Sequence, residues 1–191
     1  LAPKSAEFQT WLGRAYLARE DYRAARQAFT RASGLEPKSI YALNGLVTLD
    51  VVERKPGAAR ATLDKEIAAD PENTALLYLA ANTFLTLGDT RRAEGLLQDV
   101  LRLDPTHLDA YNKLGSLYVS QGRLDEAKQK YVDALGREQP NKSRVTTLTL
   151  AGIVFELENK PQEAMQQYEK ALELDPRAAV AANNLAWIHA R

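Results

Sequence analysis

The 191-residue chain is predicted to be all-α, a solenoid of tandem helical hairpins, on three observations. Six prolines, Pro3, Pro37, Pro71, Pro105, Pro140 and Pro176, fall 34, 34, 34, 35 and 36 residues apart, each ahead of a helix-like stretch. A period of about 34 is the mark of a helical hairpin repeat. Between prolines one pattern returns, as Leu12-Gly13, Tyr16, Ala25, Phe29 and Ala32, and again as Leu114-Gly115, Tyr118, Gly122, Ala127, Tyr131 and Ala134. Within each unit the apolar residues recur at three- and four-residue spacing in two blocks, the period of two amphipathic helices.

Eleven helices follow in order, at 6–19, 22–34, 40–53, 57–69, 74–87, 90–102, 108–121, 124–136, 145–158, 161–174 and 178–190. Phe8, Leu12 and Tyr16 mark the first, and Ala25, Phe29 and Ala32 mark the second, with Asp21 placed to cap it. A residue before proline is pushed away from helical angles, so Glu36-Pro37, Asp70-Pro71, Asp104-Pro105, Gln139-Pro140 and Asp175-Pro176 each stop a second helix. Ser39 and Asn73 then cap the helix that follows. Gly88 and Gly122 end the fifth and seventh helices, since glycine accepts the left-handed conformation of a C-terminal cap, and Asp89 caps the sixth. Pro56 and Pro161 open the fourth and tenth, where a missing N–H costs nothing.

The repeats run at about 6–39, 40–73, 74–107, 108–141 and 145–178, with the first helix of a sixth at 179–191 and the tail of a preceding one at 1–5. This layout, with Leu1-Ala2-Pro3 matching Leu103-Asp104-Pro105, predicts a piece of a longer protein. The surplus in the period is expected in Pro140-Asn141-Lys142-Ser143-Arg144, as a loop before the ninth helix. Loop residues cost little free energy.

Acidic and basic residues balance at 25 each, which removes the electrostatic case for nucleic acid or anionic lipid as the main partner. The densest basic run, Arg19, Arg23, Arg26 and Arg31, is interrupted by Glu20 and Asp21 and reads as a solvated face. No run of 18 apolar residues is present, so no helix inserts directly in a membrane. With no cysteine and two histidines, His107 and His189, far apart in sequence, no thiol, metal or Ser-His-Asp chemistry can be composed. Carboxylates sit beside cations, as Asp125 and Glu126 do near Lys128. No cofactor and no enzyme activity are expected. Asn141-Lys142-Ser143 fits a glycosylation sequon, a three-residue match of weak specificity.

These units closely resemble the tetratricopeptide repeat, which pairs Leu-Gly and Tyr on its first helix with Ala, an aromatic and Ala on its second, then Pro. The likeness is strongest where Gly13, Gly115 and Gly152 pair with Ala25, Ala127 and Ala164. Unit two departs most, with Val47, Asp50 and Glu66 in slots the family fills with small, aromatic and Ala residues. The resemblance implies a right-handed superhelix in which glycine or alanine lets helices cross closely. Tyr16, Phe84, Tyr118 and Phe155 would then meet Phe29, Leu97, Tyr131 and Tyr168.

It also implies a concave groove lined by the first helices of the repeats. Carried over, its residues are Thr10, Trp11 and Arg14, then Tyr41, Asn44 and Thr48, then Tyr78 and Asn82. Asp109, Asn112, Lys113 and Ser116 follow, then Thr146, Thr149 and Ile153, then Asn183, Asn184 and Trp187. Asn44, Asn112 and Asn183 share one slot in alternate units, suited to gripping a peptide backbone. The bland reading of the same face is a solvated polar surface with no ligand. The set with which chaperone-binding members hold a C-terminal carboxylate is not reproduced, because Thr10, Arg14, Gly45, Ala75 and Leu79 occupy its slots.

The expected function is a non-enzymatic scaffold that binds a protein or extended peptide. Two alternatives stand beside it: a self-assembling array joined through the C-terminal helix at Leu185, Trp187 and Ile188, and the regulatory or substrate-presenting arm of a larger enzyme such as a glycosyltransferase. The Ala- and Arg-rich style resembles bacterial members of the family, in cytoplasm or envelope.

Overall fold

The protein is described by a computed structural model covering residues 5–138 and 140–190. The tail expected at 1–4, the stop at Gln139 and the terminal Arg191 lie outside the described residues. Among those residues the chain is all-helical: α1 Ala6–Ala18, α2 Tyr22–Leu35, α3 Ile40–Val52, α4 Pro56–Ala69, α5 Thr74–Thr86, α6 Thr90–Leu103, α7 Leu108–Ser120, α8 Leu124–Leu135, α9 Asn141–Leu157, α10 Pro161–Leu174 and α11 Ala179–His189. Two compact units divide it, residues 1–96 and 97–191.

The turn inside each of the five hairpins is built the same way. One residue takes a left-handed backbone: Glu20 (φ 60°), Arg54 (58°), Gly88 (76°), Gly122 (72°) and Asn159 (59°). The next N–H reaches back to a carbonyl five residues earlier, from Asp21 to Tyr16 (3.0 Å), Lys55 to Asp50 (2.7 Å), Asp89 to Phe84 (2.8 Å), Arg123 to Tyr118 (2.9 Å) and Lys160 to Phe155 (2.8 Å). This is the long bond of a Schellman cap, which satisfies carbonyls the helix end would otherwise strand. Glycine is the least strained choice there, yet three turns do without it.

The expected caps hold in part. Asp21 accepts from the Ala24 N–H (3.0 Å), Asn73 from Leu76 (3.0 Å) and Asp89 from Arg92 (3.3 Å). Ser39 occupies the N-cap of α3 but makes no side-chain cap bond. The expected loop at 140–144 is corrected more sharply, because Asn141 to Arg144 are the first turn of α9. Pro140 itself is extended (φ −59°, ψ 147°), so the helix can begin at the next residue without the carbonyl clash a proline makes inside a helix. The insertion therefore lengthens a helix to 17 residues where its counterparts have 13. It also places the weak sequon in a helix.

In residues 1–96, the Phe29 ring is fully buried with Ala25 and Leu49. A Cβ built on Gly13 would lie 2.7 Å from that ring, and one on Gly45 2.4 Å. The recurring glycine slot thus seats a ring of the second helix, and Gly45 adds a second seat from the following hairpin. A further cluster joins Val47, Ala59, Leu63, Leu76, Ala80, Phe84 and Ala93. Asp50, in an aromatic slot, is buried and accepts Arg26 at 2.7 Å, so a charge pair replaces ring packing in the departing unit.

In residues 97–191 the seats recur, with Tyr131 at 2.6 Å from a Cβ on Gly115 and Tyr168 at 2.4 Å from one on Gly152. Leu185 and Ile188, expected as an open strip, are half-buried against the cluster of Leu148, Ala164, Tyr168, Ala171 and Ala181. The exposed apolar residues of α11 are Val180 and Trp187. Two residues along a helix turn it by about 200°, so packing that covers Leu185 leaves Trp187 on the opposite, open face.

One ionic contact appears in each unit at matching slots. Glu53 bonds Lys55 of its own turn (2.5 Å) and Arg26 of the preceding hairpin (3.1 Å). Glu158 bonds Lys128 (2.7 Å) and Lys160 (2.9 Å) in the same way. The hydrogen bonds from Lys128 and Lys160 hold the Glu158 carboxyl below the usual carboxylate range, and that from Lys55, with Arg26 behind it, does so for Glu53.

Candidate functional site

The helices α1 and α3 bring four sequence-predicted residues together, Thr10 among them. Trp11 and Arg14 of α1 and Tyr41 of α3 line a groove of about 490 Å³ with Glu7, Thr10, Glu36 and Ser39. Trp11 is 53% and Tyr41 75% exposed, large rings that water solvates poorly. The Arg14 guanidinium lies over the Trp11 ring at 5.0 Å from its centroid, a cation–π geometry. Thr10 is buried and donates to the Ala6 carbonyl (2.9 Å), so its hydroxyl serves the helix. Sequence reasoning missed Glu7 and Glu36. Glu7 stands one turn before Trp11 and could have been found by that spacing; Glu36 lies in the link before Pro37, which carries no helical signal.

The other expected residues of residues 1–96 are less concentrated. Asn44 is exposed, with Thr48 half-buried 3.4 Å from its side-chain oxygen. Tyr78 and Asn82 are half-buried, and the Asn82 amide donates to the Tyr78 carbonyl (2.9 Å). A separate depression of about 580 Å³ follows α2 past Arg23, Arg26 and Arg31 to Lys55, where Arg26 and Lys55 are already engaged with acids.

In residues 97–191, several expected contact residues work inside the fold. Asn112, half-buried, accepts the hydroxyl of fully buried Thr147 at 3.0 Å, tying α7 to α9. Ser116 lies 3.3 Å from the Tyr131 hydroxyl, and Asn184 donates to the Tyr168 hydroxyl (3.1 Å), which in turn donates to Glu156 (2.8 Å). Burial raises both phenol pKa values, at Tyr168 reinforced by Glu156 and at Tyr131 partly offset by Ser116. The buried tyrosines thus push their polar tips out to the first-helix face and occupy side chains there. Thr149 is buried and donates to the Val145 carbonyl (2.8 Å). Lys113 is half-buried, while Asn183 and Trp187 are exposed. An apolar groove of about 300 Å³ between α9 and the start of α11 is lined by Val145, Thr146, Leu150, Ile153 and Val180 among others.

His107 caps α7, its Nδ1 accepting from the Ala110 N–H (3.2 Å). Among the described residues no group of three or more acidic or imidazole side chains could hold a metal ion, and no helix is long and apolar enough to cross a membrane.

Repeated hairpins with left-handed turns, ring seats on glycine and an open first-helix face define a helical-repeat interaction protein. The chain belongs to the tetratricopeptide repeat family: family profiles match residues 1–40, 11–74 and 78–143, and a second tetratricopeptide profile matches 145–177. The repeat is a protein–protein interaction scaffold and generally non-enzymatic. Among curated relatives, the human protein O-mannosyl-transferase TMTC3 is 36% identical over 89 residues, 46% of this chain and 9% of that protein. The Fusarium oxysporum co-chaperone DNJ1, a tetratricopeptide repeat and J domain-containing protein, is 30% identical over 140 residues, 70% of this chain and 26% of its own length. The chain spans between 9% and 33% of the curated relatives it matches. In fold it is similar to TTC0263, a thermophilic TPR protein of Thermus thermophilus (TM-score 0.69, 21% identity, 97% of this chain and 100% of that one). It is likewise similar to YrrB, described as a TPR protein with an unusual peptide-binding site (TM-score 0.63, 20% identity, 90% and 87%).

Proposed function

We propose that this array is a scaffold that binds an extended segment of a partner protein across the first-helix faces of α1 and α3. The observation that carries it is the pairing of two exposed rings, Trp11 and Tyr41, in one groove. Aromatic residues in partly enclosed grooves are the usual anchors of protein interfaces. Asn44 and Thr48 extend this face along α3, with Tyr78 and Asn82 on α5. In the second unit Asn112, Lys113, Ser116, Asn183 and Trp187 are assigned the same role. The test is binding of a randomised peptide library to the whole chain: Trp11→Ala with Tyr41→Ala should lose binding with helicity unchanged, and undiminished binding would remove the groove from the site.

A second reading is favoured by the likeness to a mannosyltransferase, of which the matching segment is 9%: the array serves as the partner- or substrate-presenting arm of a larger enzyme. The sequence flanking this segment tests it. Self-association through α11 is the third, now resting on exposed Val180 and Trp187. Sedimentation over a wide concentration range tests that reading, and a chain that stays monomeric throughout ends it. The compartment we assign, bacterial cytoplasm or envelope, follows the sequence style alone.

A further inference from the structure

We propose that the α1–α3 groove selects its peptide by a basic side chain, an Arg or Lys whose cation rests against the rings of Trp11 and Tyr41 with Glu7 and Glu36 as counter-charges. The inference rests on reading this groove as a peptide site and names what that site recognises. Five observations converge. The lining holds two carboxylates, Glu7 and Glu36, against one cation, Arg14. Among the described residues neither carboxylate is engaged in an ion pair. The ring of Trp11, 53% exposed, already accepts one guanidinium, that of Arg14 at 5.0 Å, which shows that this ring takes a cation. The ring of Tyr41, 75% exposed, carries no cation among the described residues.

Ser39 supplies the fifth. It is 9% exposed, lines the same groove and makes no cap bond with α3, leaving a hydroxyl oxygen to accept from a guanidinium or a peptide N–H. A cation between aromatic faces is held by the ring quadrupole, and the contact strengthens as water is displaced. An acidic peptide would bring like charge to Glu7 and Glu36 and gain only Arg14, which would have to leave its ring. Arg suits the groove better than Lys, because a flat guanidinium stacks on an indole and also reaches a carboxylate.

The experiment uses the whole chain. Four randomised peptide pools, with a fixed central Arg, Lys, Met or Glu, are titrated while peptide anisotropy is followed. The Arg and Lys pools should bind about tenfold more tightly than the Met pool, the scale of a partly desolvated cation–π contact, and the Glu pool most weakly. Glu7→Gln with Glu36→Gln should bring the Arg and Met pools together without weakening the Met pool. Equal binding of all four pools, or preference for Glu, overturns the basic selection; if Trp11→Ala with Tyr41→Ala still abolishes that binding, the groove reading survives. Binding unchanged in that double variant, or no binding of any pool by the parent, overturns both.

Discussion

Replacing Gly45 by alanine adds one methyl group at the most confined point in residues 1–96. Its Cβ would lie 2.4 Å from two atoms of the Phe29 ring and 2.6 Å from a third, about 1 Å inside ordinary carbon contact. A flexible neighbour could give way, but Phe29 is fully buried and the same ring is also approached closely by Gly13, whose Cβ would lie 2.7 Å away. The ring has no free direction, so overpacking should cost about 3 kcal/mol, the upper part of the usual range. Alanine returns about 1 kcal/mol through its higher helix propensity, leaving a net loss of about 2 kcal/mol. The control is Gly95→Ala in α6, where a Cβ meets nothing within 4 Å and propensity alone should stabilise by about 1 kcal/mol. Urea titrations followed by circular dichroism would therefore move in opposite directions for two identical chemical changes. Gly45→Ala as stable as Gly95→Ala would mean that Phe29 is not seated between α1 and α3.

Three further outcomes follow from the turns and polar contacts. Arg54 holds a left-handed backbone at φ 58° with an exposed side chain, so Arg54→Gly should stabilise by about 0.5–1 kcal/mol, the left-handed penalty less the added entropy of glycine, read as a higher urea midpoint. The Glu158 carboxyl is depressed by Lys128 and Lys160. Its contribution is therefore present above the ordinary carboxylate pKa and lost as pH falls through the lower folded value; Glu158→Gln should flatten the loss of stability between about pH 5 and 3, and an unchanged acid slope would show that the contact is not formed. Asn112→Ala should destabilise by about 0.5–1 kcal/mol by removing the α7–α9 hydrogen bond, the Thr147 hydroxyl keeping the Ser143 carbonyl at 3.0 Å, whereas Asn44→Ala, at the same slot but exposed, should leave the urea midpoint unmoved.

The last pair shows where sequence reading reaches its limit. The slot shared by Asn44 and Asn112 was legible from the period, as were the hairpins, the proline stops and the face carrying Trp11, Arg14 and Tyr41. What each asparagine does was not, because it depends on the neighbour. Asn112 meets Thr147 on a helix that extends past its expected start, and that extension rests on Pro140 being followed at once by helix. The run Asn141-Lys142-Ser143-Arg144 has no apolar residue to announce it. Glu20, Arg54 and Asn159 escaped notice as left-handed turn residues for a related reason: Gly88 and Gly122 declare their backbone by lacking a Cβ, while the other three are held there by the returning hydrogen bond. Of the groove's carboxylates, Glu36 was hidden because a charge in a link carries no helical signal until the fold sets it, with Glu7, round the same rings.

The contacts of Glu53 and Glu158 have a consequence for how such arrays can be recombined. Arg26 and Lys128 occupy equivalent positions on α2 and α8, as do the two glutamates at the ends of α3 and α9. A chimaera in which α1 and α2 run directly into α9 and α10 would bring Arg26 to Glu158 and keep the ionic link intact. The ring seat would not transfer, since Phe29 needs Gly45 and the equivalent position of α9 is Leu150. The two hairpin pairs thus share an exchangeable electrostatic connector but differ in the seat beside it, where the graft would set Phe29 towards Leu150, the residue that α9 already presents after the buried ring of Tyr131.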